Sequence, residues 1–197
     1  MRALLLPVKD LNNAKKRLMG VLTPEERFGL AEAMLKDTFR AVRDVKRAEK
    51  IFVVTNYKPA MSLAEESGWE ILQEEQQISE SDSVDAASRV CELRGVTGLL
   101  RVPLDVPLVQ ANDIDDLLAV ECEEPALVIV PSRDGLGTNA ILRMPRRCSR
   151  HILAWEVLRN TLAKPKAPMP GSRFVAISGW RWTWTMKQIC ALCSNTI

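Results

Sequence analysis

The sequence predicts an α/β fold, a three-layer α/β/α sandwich built on a mainly parallel sheet, and three observations carry that expectation. Short apolar, β-rich runs alternate with longer amphipathic stretches, the links between them are short, and the apolar runs lack the polar alternation of a half-exposed sheet. A chain of 197 residues, 47% hydrophobic and 26% charged, also suits one domain with a core of its own.

Ala3 to Val8 reads as a buried strand entering a polar, basic loop from Lys9 to Lys16. Thr23-Pro24-Glu25-Glu26 is a helix start, with Thr as N-cap, Pro in the first turn and acids beside the helix dipole. Leu30, Ala33, Met34, Thr38, Ala41 and Val42 then recur at helical spacing, so a helix is expected over about 24–44. Strands are expected at Ile51 to Thr55, Trp69 to Leu72, Leu99 to Val102 and Ala126 to Val130. Helices are expected at about 59–67, Asp82 to Glu92 and Asp113 to Val120. In such sheets ligands bind beyond the carboxyl ends of the strands.

Several classes are excluded or disfavoured. There is no apolar run long enough to span a bilayer, and Pro7 and Lys9 interrupt Met1 to Leu6 before a signal-peptide core forms, so a cytoplasmic protein without membrane partners is expected. Five Cys, an odd number, favour reduced thiols over a disulfide framework. Neither a P-loop nor a dinucleotide-binding glycine motif is present. His151 and the pair Cys190 and Cys193 lack partners at metal-site spacing.

Net charge is only +2, but its distribution reverses twice. Residues 1–50 carry 12 Lys and Arg against 7 Asp and Glu, residues 51–130 carry 4 against 16, and residues 131–197 carry 11 against 2. Trp155, Trp180, Trp182 and Trp184 also fall in the last stretch, so residues 145–197 stand apart from 1–144 in vocabulary.

Three clusters follow expected strand ends. Lys9, Lys15, Lys16 and Arg17 place four cations within nine residues, enough to neutralise a polyphosphate, although a solvated basic loop has the same composition. Asp105, in Pro103-Leu104-Asp105-Val106-Pro107-Leu108, is a carboxylate at a strand tip, suited to Mg²⁺ shared with phosphate oxygens or to capping a turn. Ser132 to Ala140 contains Gly135, Gly137, Thr138 and Asn139, a pattern that presents N–H, hydroxyl and amide donors to an anion or forms an ordinary glycine turn.

Together, Leu6-Pro7-Val8-Lys9 with Ala14-Lys15-Lys16-Arg17-Leu18, Glu26-Arg27 with Ala33 to Asp37, Asp105-Val106-Pro107-Leu108 and Asp134 to Ala140 resemble the 2-phospho-L-lactate or phosphoenolpyruvate guanylyltransferases of coenzyme F(420) biosynthesis. The resemblance covers residues 1 to about 144 and implies a nucleotide-diphospho-sugar transferase-like fold. It implies a guanylyltransferase that takes GTP and a phosphorylated three-carbon acid, uses Mg²⁺ as cofactor and has no nucleic-acid partner, with a homodimer left open. By the same resemblance Lys9, Lys15 and Arg17 are nucleotide ligands, Lys9, Arg17 and Asp105 are catalytic, Asp105 is the metal ligand, and Thr138, Gly137 and Asn139 bind the acid. Where the family more often has Leu-Asn and a small residue, this chain has Val84-Asp85-Ala86.

The family's last motifs, F-G-x-G-S-F-x-x-H and L-D-V-D-x-x-x-D-L, are missing from the tail, yet both emerge when its codons are read one base out of frame. Trp is only TGG and Thr begins AC, so the last base of Trp182 with Thr183 gives GAC, an Asp, and Trp184 with Thr185 gives a second. Met186 with Lys187 gives Glu, and Trp180 to Cys190 can decode as ALDVDDEADL. Leu153 to Thr161 can decode as GLGSFAKH, with a forced Gly from Trp155 and Glu156. The expectation is a core over 1–144 and a frame-shifted tail over 145–197, the shift falling between Met144 and His151. Alternatives are a related nucleotidyltransferase with another substrate, a basic, Trp-rich nucleic-acid-binding tail, or a catalytically dead product.

Overall fold

The computed structural model describes residues 1–73, 80–122, 126–132, 137–144 and 173–176. Its elements, in chain order, are β1 (Arg2–Pro7), α1 (Pro24–Arg43), β2 (Lys50–Thr55), α2 (Lys58–Glu66), β3 (Glu70–Gln73), α3 (Glu80–Leu93), β4 (Gly98–Arg101), α4 (Ala111–Leu118), β5 (Ala126–Pro131), β6 (Thr138–Met144) and β7 (Arg173–Ala176). Two short 3-10 turns, Leu11–Asn13 and Lys16–Leu18, shape the loop after β1.

The strands form one sheet in the order β3-β2-β1-β4-β6-β5-β7. β1 pairs in parallel with both β2 and β4, β2 with β3, and β5 with β7, whereas β6 runs antiparallel to β4 and β5. The expected strands and helices are all present, with ends that coincide or shift by at most two residues. β6 was not expected, because Thr138 to Ala140 reads as the end of a glycine-containing loop when taken alone. The strand exists because Ala140, Leu142 and Met144 bury one face while Ile141 buries the other. Four residues of the tail, Arg173–Ala176, extend the sheet beside β5. The remainder of 145–197, including His151, the four tail Trp, Cys190 and Cys193, lies outside the described residues.

Alternation along the strands builds the layers. Leu4, Leu6, Val53, Leu100 and Leu142 face α1, α2 and α4 and share a core with Leu35, Phe39, Ala60, Ile114 and Leu117. Ala3, Leu5, Phe52, Val54 and Leu99 face the other way, against Val84, Ala87 and Cys91 of α3. Each fully buried Leu contributes roughly 1.5–3 kcal/mol of transfer free energy. Burial and an apolar setting push the Cys91 thiol up to about 11, so it is an inert core group.

In α1 the start is as expected. The Thr23 hydroxyl accepts from the Glu26 N–H at 3.2 Å and the Glu26 carboxylate accepts from the Thr23 N–H at 2.8 Å, a complete capping box with Pro24 behind it. The buried stripe, however, is Ala31, Leu35, Thr38, Phe39 and Val42, whereas Leu30 and Ala33 are exposed. Both stripes have helical period. The large side chains of Leu35 and Phe39, the latter packed on Trp69 with ring centroids 4.9 Å apart, decide which one meets the sheet.

At the sheet edge Glu70 accepts from Lys50 of β2 and from Arg94 beyond α3, and the Lys50 hydrogen bond, aided by Arg94, holds its carboxyl below the usual range. A depressed carboxyl stabilises the fold above its unfolded pKa and loses that contribution as pH falls through the folded pKa. Glu70→Gln should therefore be less stable than the parent at pH 7, with the gap closing as the pH falls through the folded pKa, read from urea midpoints; the same gap at pH 7 and pH 3 would contradict this linkage.

Leu100, fully buried in β4, and Leu93, 89% exposed at the end of α3, give a paired test of the layer arrangement. Leu100→Ala should cost about 3 kcal/mol in urea unfolding and Leu93→Ala less than about 0.5 kcal/mol.

Candidate functional site

The loop after β1 is anchored at both ends. The Val8 N–H donates to the Val54 carbonyl at 3.0 Å, and the Val8 carbonyl accepts from the Thr55 hydroxyl at 2.7 Å, while Thr55 Oγ1 accepts from the Tyr57 N–H at 3.0 Å. Thr55 is fully buried, so the end of β2 fixes the residue immediately before Lys9. Asp10 then accepts from the Asn12 backbone and side chain, and the Arg27 guanidinium of α1 donates to the Ala14 carbonyl at 3.3 Å. Lys15 takes a left-handed conformation, φ 52°, which turns the chain into the second 3-10 turn and leaves Lys16 and Arg17 exposed. The Lys9 ammonium donates to the hydroxyl of Ser83 on α3. Burial, then the carboxylates of Asp10 and Glu32, pushes the neighbouring Tyr57 phenol up, so it stays neutral.

Beyond β4 the Val102 N–H continues the ladder to the Leu5 carbonyl at 3.1 Å, and Val102, Pro103, Val106 and Val109 are buried. These apolar anchors fix the turn while Asp105 remains exposed at its tip. Among the described residues no group of three or more His, Cys, Asp or Glu side chains could hold a metal ion. Asp105 therefore offers one carboxylate, which fits Mg²⁺ held mainly by phosphate oxygens and water but not an ion caged by protein ligands.

The third cluster sits where β5 turns into β6. Gly137 donates its N–H to the Ser132 hydroxyl at 2.7 Å and accepts from the Ser132 N–H at 2.9 Å. A Cβ at Gly137 would lie 3.1 Å from Ser132 Oγ, so a larger residue there would press on that hydroxyl. The expectation that this backbone approaches an anion is thereby narrowed, since the Gly137 N–H is directed at Ser132. Val130 pairs with Ala140 and Pro131 with Thr138, so Asn139 is the extra residue of a β-bulge, its amide donating to the Pro131 carbonyl at 3.4 Å. Thr138 and Asn139 are half-buried.

Strand order brings the clusters to one edge. β1, β4 and β6 are consecutive in the sheet, with Leu5 opposite Arg101 and Arg101 opposite Ile141. Lys9 and Asp105 follow the carboxyl ends of β1 and β4, and Thr138 lies at the same edge because β6 starts there and runs back. A separate surface cleft of about 880 Å³ lies between the end of α1 and the start of α4 and contains none of these residues. Two of its lining cations have partners, Arg40 with Asp37 and Arg43 with Ser67.

Sequence reasoning missed Ser83, Thr55 and Arg143 of β6. Thr55 has a readable signal, a hydroxyl ending an apolar strand. The other two depend on neighbours distant in sequence: the Arg143 guanidinium, for example, reaches Asp85 of α3 at 2.9 Å.

A sheet of this order, with helices on both faces and its basic, acidic and glycine-bulge segments on one edge, defines an α/β nucleotidyltransferase-type fold. Solved structures share it. A cytidylyltransferase from Leptospira borgpetersenii serovar Hardjo-bovis matches with TM-score 0.56 and 12% identity over 92% of this chain and 77% of its own. A structure from Desulfovibrio desulfuricans G20 assigned to the nucleotide-diphospho-sugar transferases matches with TM-score 0.59 and 14% identity over 76% of this chain and 66% of its own.

Within that class the chain belongs to the CofC-like guanylyl transferase family, whose model matches residues 1–152. A phosphoenolpyruvate guanylyltransferase of Conexibacter woesei is 33% identical over 150 residues, covering 72% of this chain and 64% of the relative. One from Rubrobacter xylanophilus is 34% identical over 140 residues, 71% of this chain and 67% of the relative. A 2-phospho-L-lactate guanylyltransferase of Methanothermobacter thermautotrophicus is 29% identical over 145 residues, 74% of this chain and 63% of the relative. The chain thus spans about two thirds of the length of the relatives it matches. None of the helices among the described residues is long and apolar enough to cross a membrane.

Thr55→Val keeps the shape of the side chain but removes the donor to Val8 and the acceptor for Tyr57. It should cost about 1–3 kcal/mol and speed amide exchange in the loop carrying Lys9. Unchanged exchange there would show that the loop is held by other contacts.

Proposed function

We propose that residues 1–144 form the core of a cytoplasmic guanylyltransferase that joins GMP from GTP to a phosphorylated three-carbon acid, phosphoenolpyruvate or 2-phospho-L-lactate, and releases pyrophosphate. The observation that carries the reading is the convergence of a cationic loop, a strand-tip carboxylate and a glycine-bulge turn on consecutive strands, in a chain of this family.

An oxygen of the acid's phosphate attacks the α-phosphorus of GTP. The new bond forms there, the bond from that phosphorus to the bridging oxygen of the β-phosphate breaks, and the electron pair leaves with pyrophosphate. Lys9, Lys15 and Arg17 neutralise the triphosphate, and Arg17 provides a planar fork for paired oxygens. Asp105 would hold Mg²⁺, which when bound supplies charge neutralisation at the phosphates. Thr138 and Asn139 orient the acid, and Gly137 keeps the turn narrow enough for it to approach.

The family match stops at residue 152 although 45 residues follow, and about a third of each relative has no counterpart here. That boundary supports the frame change inferred between Met144 and His151. The shifted L-D-V-D segment would add carboxylates beside Asp105 and the shifted G-x-G-S segment would complete the acid pocket. Without them Asp105 alone does not fix an ion in line, and transfer falls by orders of magnitude.

With GTP, phosphoenolpyruvate and Mg²⁺, pyrophosphate release by the chain as written should be at least about 100-fold slower than by a version repaired by one base upstream of His151. Asp105→Ala in the repaired chain should abolish release. Full metal-dependent turnover by the unrepaired chain would contradict the frame account, and inactivity of the repaired chain would contradict the guanylyltransferase reading.

A further inference from the structure

Two polar contacts meet on the first half of α3, and each comes from a different part of the site. Ser83 accepts from the Lys9 ammonium, which belongs to the basic loop after β1. Two residues on, Asp85 accepts from Arg143 Nη1 at 2.9 Å, and the same nitrogen donates to Ser88 Oγ at 3.2 Å. Ser88 in turn donates to the Val84 carbonyl at 2.6 Å, so this contact is tied to the helix backbone as well as to a side chain.

The pair is not an ordinary surface bridge. The Arg143 and Asp85 side chains are only 16% and 23% exposed, so solvent screens them weakly, and separating them would leave a charge in a poorly hydrated place. Among the described residues the buried Arg143 Nε has no hydrogen-bond partner, and the guanidinium's contacts there are made through Nη1. Arg143 belongs to β6, opposite Leu99 of β4, and β6 begins at Thr138. Leu99 packs against α3, which places Arg143 on the face that α3 covers. Helix α3 is therefore a bridge from the loop of Lys9 to the strand of Thr138, and its two attachments are polar and directional where the rest of its packing is apolar.

We propose that Arg143 is a positioning residue: by holding Asp85 it couples α3, and through Ser83 the nucleotide loop, to the acceptor strand β6. The proposal rests on the reading of Lys9 as a nucleotide ligand and Thr138 as an acid ligand. A triphosphate that draws the Lys9 ammonium toward itself changes the partner of Ser83. The first turns of α3 adjust, and the half-buried ion pair carries the adjustment to β6, because it resists separation more than an apolar contact that can slide. The start of β6 is thus set in place when the nucleotide arrives. Asp85, where the family more often has Asn, gives this chain a full charge for Arg143 to hold.

Amide hydrogen exchange on the full chain, with and without GTP and Mg²⁺, tests the coupling without requiring turnover. In the parent, GTP should slow exchange both in residues 9–17 and in residues 138–144. In Arg143→Met the slowing in 9–17 should persist while that in 138–144 falls about five- to tenfold. Arg143→Lys should retain most of it, and Asp85→Asn, which keeps the shape of the side chain, should show an intermediate loss and serves if Arg143→Met does not fold. A strut without a coupling role would change the basal exchange of β6 and leave the GTP-dependent part intact; that result overturns the proposal. If GTP slows neither stretch in the parent, the nucleotide reading fails and the coupling fails with it, and the silence of residues 9–17 identifies that case.

Discussion

The parallel pairing of β1 with β4 is the constraint on which the site depends. Arg2 to Leu5 lie opposite Gly98 to Arg101, although some ninety residues and three helices separate the two strands in sequence. That register brings the carboxyl ends of β1 and β4 to one level, and the loop of Lys9 and the turn of Asp105 emerge side by side. Forming it closes a long loop, an entropic cost met by burial on both faces of two short strands whose Leu4, Leu5, Leu6 and Leu100 are shielded from water.

β6 completes the edge because it is antiparallel. A parallel strand in that position would place Thr138 at the opposite edge, away from Lys9 and Asp105. The bulge at Asn139 then turns the start of the strand, as bulges near binding edges commonly do. Apolar side chains anchor each segment below the edge, namely Val8, Val102 and Val106, and the polar residues project beyond it. The separation of roles is physical: the buried residues define position, and the exposed ones remain available to a charged ligand.

Most of the fold was legible because its signals are local. Apolar runs such as Ile51 to Thr55 and the Thr23-Pro24-Glu25-Glu26 helix start need no tertiary information. The facing side of α1 was read in part: Thr38 and Val42 face the core as expected, but two apolar stripes share the helix surface and only contact with the sheet distinguishes Leu35 and Phe39 from Leu30 and Ala33. β6 was missed because its burial comes from partners on β4 and β5, which propensity alone does not reveal. At the site, the charged and glycine-rich segments could be picked out by composition. Their supports, Ser83 under Lys9 and Asp85 under Arg143, could not, because each is a contact between side chains more than fifty residues apart.

The tail reverses the relation between sequence and function. Its Trp, Cys and Arg look like functional signals, and under the proposed frame change they follow instead from codons read one base out of register; the family match ends at residue 152. What decides function is then whether the core alone presents one nucleotide site at the β1, β4 and β6 edge. Backbone amide NMR on the full chain, titrated with GTP and Mg²⁺, measures this most directly. Shifts confined to Lys9–Arg17, Val102–Asp105, Gly137–Asn139 and the first turns of α3 are predicted, and shifts centred instead on the cleft between α1 and α4, with the β1 loop unmoved, would contradict the account.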